Sequence, residues 1–259
     1  MSSRKLAIVT GASSGIGLEI AKLAAGDGFD LIVAADTPFV EASPALKDYG
    51  VTVQEVETDL STRQGVEQLL DVVGGRPVDV LVANAGHGLG HGFLDQSQDE
   101  WLHVINTDVT GTLMLIQPIA QRMVERGEGR ILITGSIAGH LAGAFQAVYN
   151  GSKAFIDSFA AALNEELRDS GVTVTCLKPG ATETNFFHRA ELDDTKVGQA
   201  RKDDPADVAK TGWEAMNKGE PAVIYGLKNK LQVAAADVMT DAQTAKLHRA
   251  QAEPGSGTE

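Results

Sequence analysis

Cysteine is almost missing from this chain: Cys176 is the only one in 259 residues, so no intrachain disulfide can form. Val172, Val174, Thr175 and Leu177 surround it, which assigns the thiol to a buried strand and a packing role. Positive charge is also short. Against 35 Asp and Glu there are 22 Lys and Arg, a net charge of −13 that disfavours nucleic acid and anionic membrane surfaces as partners. No apolar run reaches the roughly 18 residues of a membrane helix, and no signal-peptide core precedes the first apolar segment. A cytoplasmic protein is the expectation. Repeats and long linkers are missing too. What remains is a chain with 43% hydrophobic residues, enough to bury the core of one α/β domain.

Short apolar, β-branched runs alternate with helical spacing. Residues 6–10, 31–35, 51–56, 78–83, 130–134, 172–177 and 222–225 read as strands. Runs that are apolar on both faces suit a buried parallel sheet. Residues 18–25, 64–73, 99–125 and 148–170 read as helices. The alternation predicts a Rossmann-like, doubly wound α/β sheet of about seven strands, one domain over residues 1–251. Residues 185–207 are polar and interrupt the pattern, which suggests a lid. Residues 252–259 have the composition of a frayed tail.

Two local patterns carry chemistry. The first strand runs into Thr10-Gly11-Ala12-Ser13-Ser14-Gly15-Ile16-Gly17 and then a helix. Glycines there allow a tight turn, and a helix N-terminus offers free N–H groups to a pyrophosphate. The same residues also read as Gly-x-Ser-x-Gly, the nucleophile elbow of a serine hydrolase. Asp207 and His248 are candidate partners for Ser13, although that motif ordinarily follows a later, central strand. Tyr149 and Lys153 form the second pattern. Four residues apart on a helix, they share a face, and an ammonium beside a phenol favours the phenolate. A tyrosine so placed is a candidate general acid/base whose pKa is expected to fall.

In this order the motifs resemble the short-chain dehydrogenase/reductase family, over about residues 4–226. Thr10–Gly17 is similar to its glycine loop, Asn84-Ala85-Gly86 to its segment after strand four, and Tyr149 with Lys153 to its catalytic pair. Ser136 stands thirteen residues before Tyr149, where the family's catalytic serine is expected, and Asn106 is similar to its fourth catalytic residue. Asp59-Leu60 looks like the adenine-contacting pair, and Pro179-Gly180-Ala181-Thr182-Glu183-Thr184 like the nicotinamide-lining segment.

The resemblance implies hydride transfer between a nicotinamide dinucleotide and a secondary alcohol or carbonyl. Tyr149 would move the proton, Ser136 hold the substrate oxygen, Lys153 hold the nicotinamide ribose and Asn106 hold a water. Gly11, Ser13, Ser14, Gly15, Ile16, Gly17, Asp36, Asp59, Leu60, Asn84, Ala85, Gly86, Pro179, Gly180, Thr182 and Thr184 would bind cofactor with Tyr149 and Lys153. Asp36, at the end of strand two, offers a carboxylate to ribose hydroxyls and repels a 2′-phosphate, which favours NAD, with NADP the alternative. His87, Ser136, His140, Phe145, Tyr149 and Phe186 are the candidate substrate pocket.

His87 and His91 lie among glycines with no carboxylate or cysteine cluster, so no catalytic metal is expected. The expected partner is a small molecule. Apolar residues on more than one face of the long helices suggest a homodimer or homotetramer. A dinucleotide-binding regulator without turnover is the competing reading, and it has no physical need for Asn106, Ser136, Tyr149 and Lys153 together.

Overall fold

A computed structural model describes residues 4–258 of the chain. The seven strands are β1 (Leu6–Thr10), β2 (Asp30–Ala35), β3 (Val53–Glu57), β4 (Val80–Ala83), β5 (Gly129–Thr134), β6 (Val172–Lys178) and β7 (Ala222–Ile224). They form one parallel sheet in the order β3-β2-β1-β4-β5-β6-β7. The chain thus winds outward from β1 to β3, then returns to lay β4 on the other side of β1. The carboxyl ends of β1 and β4 flank that reversal, where an open α/β sheet makes its ligand crevice.

The helices are α1 (Gly15–Gly26), α2 (Ala42–Lys47), α3 (Arg63–Val73), α4 (Gln98–Ile105), α5 (Thr112–Arg126), α6 (Ala147–Glu166), α7 (Phe186–Arg189), α8 (Lys196–Gln199), α9 (Pro205–Asn217), α10 (Leu227–Ala236) and α11 (Asp241–Ala252). Successive strand residues point to opposite faces, so each apolar strand feeds two cores. Leu6, Ile8, Leu81 and Ile131 pack with Leu69, Leu115, Ile119, Met123 and Ile156 of α3, α5 and α6. Ala7, Val9, Val82 and Leu132 pack with Ile20, Ala24, Val208 and Trp213 of α1 and α9. Trp213 also donates to Asp27 Oδ2 at 2.9 Å, satisfying its indole N–H, and meets Phe29 edge-on.

Three expectations change. The long helix predicted over 99–125 contains a π-helical turn, Asn106–Gly111, between α4 and α5. Residues 185–207, the expected lid, hold two short helices, α7 and α8. Residues 252–258 are not frayed. Gly255, at φ 77°, turns the chain back onto the 185–207 segment: Gly255 N donates to Asp194 Oδ2 at 2.7 Å, Gly257 N to Asp194 O at 2.9 Å, and Lys196 N to Ser256 Oγ at 3.1 Å. No helix among the described residues is long and apolar enough to cross a membrane.

Candidate active site

β1 delivers the glycine loop. Gly11 sits at φ +64°, a backbone region that L side chains rarely adopt. A Cβ on Gly17 would stand 2.1 Å from Gly11 O, so α1 can start this close to the loop only with glycine there. Ser14 caps α1 in position but makes no side-chain cap bond, leaving the first N–H groups of the helix for another partner. A dinucleotide pyrophosphate suits such a cradle.

Asn84 joins this loop to the rest of the crevice. Its Nδ2 donates to Thr10 O at 3.0 Å and Gly11 O at 3.4 Å, while its Oδ1 accepts from Thr134 Oγ1 at 3.0 Å. One side chain thus ties the carboxyl ends of β1, β4 and β5 together. Thr10 Oγ1 in turn accepts from Asn84 N and Ala85 N, both at 3.0 Å.

Beyond β5 the chain enters a 3₁₀ turn, Ile137–His140, capped by Ser136, whose Oγ accepts from Ala138 N at 3.1 Å. That bond leaves the Ser136 proton free to be donated. α6 carries Tyr149 and Lys153 on one face, with the Lys153 ammonium 5.7 Å from the Tyr149 ring centroid. Lys153 Nζ donates to Thr134 O at 3.3 Å and lies 3.5 Å from Asp108 Oδ2. Asp108 is buried at 1% exposure in the π-helical turn and also accepts from Ser152 Oγ at 3.0 Å and His87 N at 2.7 Å.

Burial dominates the proton affinity of Tyr149 and pushes its pKa above the ordinary value of 10. Lys153 and a hydrogen bond with Ser136 oppose that rise, while Asp108 and Asp157 add to it. The expected fall is thus corrected: the lysine is there, but desolvation of the phenolate outweighs it. For Lys153, burial alone would favour the neutral amine, yet Asp108 and Tyr149 reverse this and hold its pKa above normal.

One crevice of about 900 Å³ gathers most of the expected residues. Gly11, Ser13, Ser14, Gly15, Ile16 and Gly17 line one end, with Asp36, Asp59 and Leu60 beside them. Asn84, Ala85, Gly86 and His87 form the middle, with Ser136, Tyr149, Lys153, Pro179, Gly180, Thr182, Thr184 and Phe186 opposite. Phe186 lies against the Tyr149 ring, with centroids 5.1 Å apart.

Three expected residues are elsewhere. Asn106 opens the π-helical turn and does not line the crevice, and Asp108 is the residue there that reaches Lys153. His140 points away to Asp237 Oδ1 at 2.8 Å and Lys178 Nζ at 3.1 Å. Phe145, at φ 65°, turns its ring under the Arg249 guanidinium, 5.4 Å away. The hydrolase arrangement is not assembled either: Ser13 Oγ pairs with Thr37 Oγ1 at 2.9 Å, and His248 Nδ1 with Ala144 O at 2.8 Å.

Sequence reasoning missed several contributors. Met239, Leu247, His248 and Gln251, in and around α11, line the crevice from the far end of the chain. Arg189 of α7 forms a two-pronged ion pair with Asp36, Nη1 to Oδ1 at 3.2 Å and Nη2 to Oδ2 at 2.5 Å. Burial would raise the Asp36 pKa, but the guanidinium outweighs it and holds the carboxyl below its ordinary value. His87 meets the His103 ring edge-on at 4.8 Å, and His91 Nε2 lies 3.1 Å from Glu191 Oε2. Among the described residues no group of three or more His, Cys, Asp and Glu is placed to hold a metal ion.

The short chain dehydrogenase profile matches residues 5–195. An oxidoreductase of Staphylococcus aureus is 30% identical over 218 residues, 83% of this chain and 91% of that protein. A short-chain dehydrogenase from Sphingobium yanoikuyae, solved in complex with NADPH, matches with a TM-score of 0.80 and 26% identity, over 91% of this chain and 96% of that one. A short chain dehydrogenase/reductase from Burkholderia phymatum, solved with NAD, matches at a TM-score of 0.79 and 24% identity, over 90% and 92% of the two chains.

Proposed function

We propose that this chain, which belongs to the short-chain dehydrogenase family and is an oxidoreductase of it, moves a hydride between NAD and a secondary alcohol or carbonyl, with Tyr149 as the acid/base. The observation that carries this reading is convergence: Ser136, Tyr149 and Lys153 face the same crevice as the glycine loop. A bound nicotinamide supplies the hydride chemistry. Gly11–Gly17 and the N-terminus of α1 would hold its pyrophosphate, and Thr184 its carboxamide.

During reduction Tyr149 gives its phenolic proton to the carbonyl oxygen; during oxidation it takes the hydroxyl proton. Ser136 donates to the same substrate oxygen and steadies the charge that builds on it. Lys153 stabilises the phenolate and would bind the nicotinamide ribose. Phe186 and His87 complete a substrate pocket with Leu141, which also lines the crevice. Removing one hydroxyl tests the assignment. Tyr149→Phe should lower kcat by more than a thousandfold on any accepted alcohol while the dinucleotide Kd changes less than threefold. A variant that keeps a tenth of the activity defeats the proposal.

Asp36 favours NAD, because its carboxylate suits ribose hydroxyls and repels a 2′-phosphate. A second reading rests on Arg189, whose guanidinium beside Asp36 is suited to a 2′-phosphate and thus to NADP. The ratio of kcat/KM for NADH and NADPH separates them, and a preference for NADPH refutes the first.

We further propose a homodimer or homotetramer. Phe155 of α6 is 45% exposed while stacking on Phe159, an apolar surface of the kind a second subunit covers. Light scattering that returns a 27 kDa particle at micromolar concentration would exclude this.

A further inference from the structure

The charge of Lys153 is not presented to Tyr149 alone. Asp108 Oδ2 stands 3.5 Å from the ammonium, and both side chains are almost wholly buried, at 6% and 0% exposure. Asp108 is held in place from three elements: by Ser152 Oγ of α6, by His87 N of the loop after β4, and by its own π-helical turn. An ammonium by itself is a monopole, whereas an ammonium with a carboxylate at this distance is a dipole, whose field falls off faster. Asp108 therefore offsets part of what the lysine does for Tyr149.

No other anion among the described residues lies within 4 Å of the Lys153 ammonium. Asp157, further along α6, also opposes the phenolate, less than Asp108 does, and is engaged by Lys178 Nζ at 3.1 Å. Burial, with the neighbouring His103 and Arg189, holds the pKa of half-buried His87 below its ordinary value. Ser136, from the 3₁₀ turn, carries no charge. Lys153 is the cation that Asp108 faces within 4 Å among the described residues.

Resting on the acid/base reading of Tyr149, we propose that Asp108 is a positioning residue of the site: it anchors the Lys153 ammonium and sets, through it, how alkaline the medium must be before Tyr149 acts as a base. Burial and the Asp108 charge both work against the phenolate, and Lys153 works for it. Neutralising Asp108 removes one opposing charge and leaves the Tyr149 phenolate as the main anion that holds the proton on Lys153, so the two charges support each other and the phenolate forms more readily.

Asp108→Asn keeps the shape and removes the charge; Asp108→Glu keeps the charge. Tyrosinate absorbance near 295 nm is titrated in wild type and both variants, each against its Tyr149→Phe background, so that Tyr49 and Tyr225 cancel. In D108N the Tyr149 step should come about one pH unit earlier than in wild type, and in D108E it should stay. The acid limb of kcat/KM for oxidation of 2-butanol or cyclohexanol with NAD should move the same way. A role in folding alone would lower kcat at every pH and leave the limb in place. If D108N does not fold, Asp108→Ser is neutral and smaller and is read identically. Coincident steps, or a limb that does not move in the neutral variant, overturn the proposal. A displaced step in a protein whose Y149F variant still turns over refutes the catalytic reading and leaves the electrostatic one standing.

Discussion

Replacing Lys153 by Met should cost stability as well as activity, and the cost should depend on pH. The substitution removes the ammonium that lies 3.5 Å from Asp108 Oδ2 and leaves a carboxylate at 1% exposure with Ser152 Oγ and His87 N as its donors among the described residues. Breaking a buried pair by removing one partner costs about 3–5 kcal/mol. Protonation offers an escape: an ordinary aspartate takes up a proton at pH 7 for about 4 kcal/mol, which caps the loss near that figure. The two surviving hydrogen bonds lower it further, so about 2–4 kcal/mol is expected at pH 7. For a chain of this size that is a fall in Tm of roughly 4–16 °C. The cap shrinks by about 1.4 kcal/mol per pH unit, to about 1.5 kcal/mol at pH 5. The sign follows from linkage. An unpaired buried carboxylate binds a proton more readily folded than unfolded, so K153M loses ground against wild type as pH rises from about 4 to 7. Calorimetry or urea melts of wild type, K153M, D108N and the double variant at both pH values complete the cycle. The double variant should be more stable than the sum of the single losses predicts, by about 2 kcal/mol at pH 7. Additive losses, or a K153M Tm within a degree of wild type, would refute the buried pair as a stabilising unit.

Further outcomes follow from other parts of the crevice. Arg189→Gln frees Asp36, so kcat/KM for NADH should rise and that for NADPH should fall, shifting the ratio about tenfold toward NADH; an unchanged ratio in initial-rate assays removes Arg189 from cofactor choice. Because Asp36 and Arg189 are each more than a third exposed, the same variant should lose under about 1 kcal/mol at pH 7. The held-down Asp36 carboxyl makes that contribution present above the ordinary aspartate range and lost as acid protonates it, which acid melts report. Asn84→Ala deletes the side chain that ties three strand ends, and should cost about 1–3 kcal/mol in urea unfolding and raise the dinucleotide Kd severalfold. Burial, with Asp157 beside it, pushes the Cys176 thiol up to about 12, so thiol reagents at pH 8 should modify it only after unfolding.

The sheet was legible because both-faces-apolar strands have few other homes, and Leu6, Ala7, Ile8 and Val9 do alternate between two cores. The glycine loop and the Tyr149–Lys153 pair were legible because each is a short-range pattern. Asp108 was overlooked for a geometric reason. Helical counting assumes 3.6 residues per turn, but the π-helical turn over 106–111 inserts extra chain and rotates the faces that follow it, so Asp108 meets Lys153. Tyr149's proton affinity was misjudged because spacing reveals a neighbouring charge and not the water that burial removes. Arg189 and α11 were invisible because they reach the crevice from 153 residues beyond Asp36 and from the other end of the domain.

The Arg189–Asp36 contact has a mechanical side. One partner follows β2 and the other rides on the four-residue helix α7, in the segment expected to act as a lid, so the pair would be a latch between floor and roof. A ribose that takes the carboxylate for its hydroxyls must draw it away from the guanidinium and loosen the roof by the same free energy. Thermodynamic reciprocity then works in both directions. On the proposed function, whatever factor a closed roof took from nucleotide affinity, bound nucleotide would take from the roof's tendency to close, and the substrate's doorway would be governed from the adenosine end of the crevice.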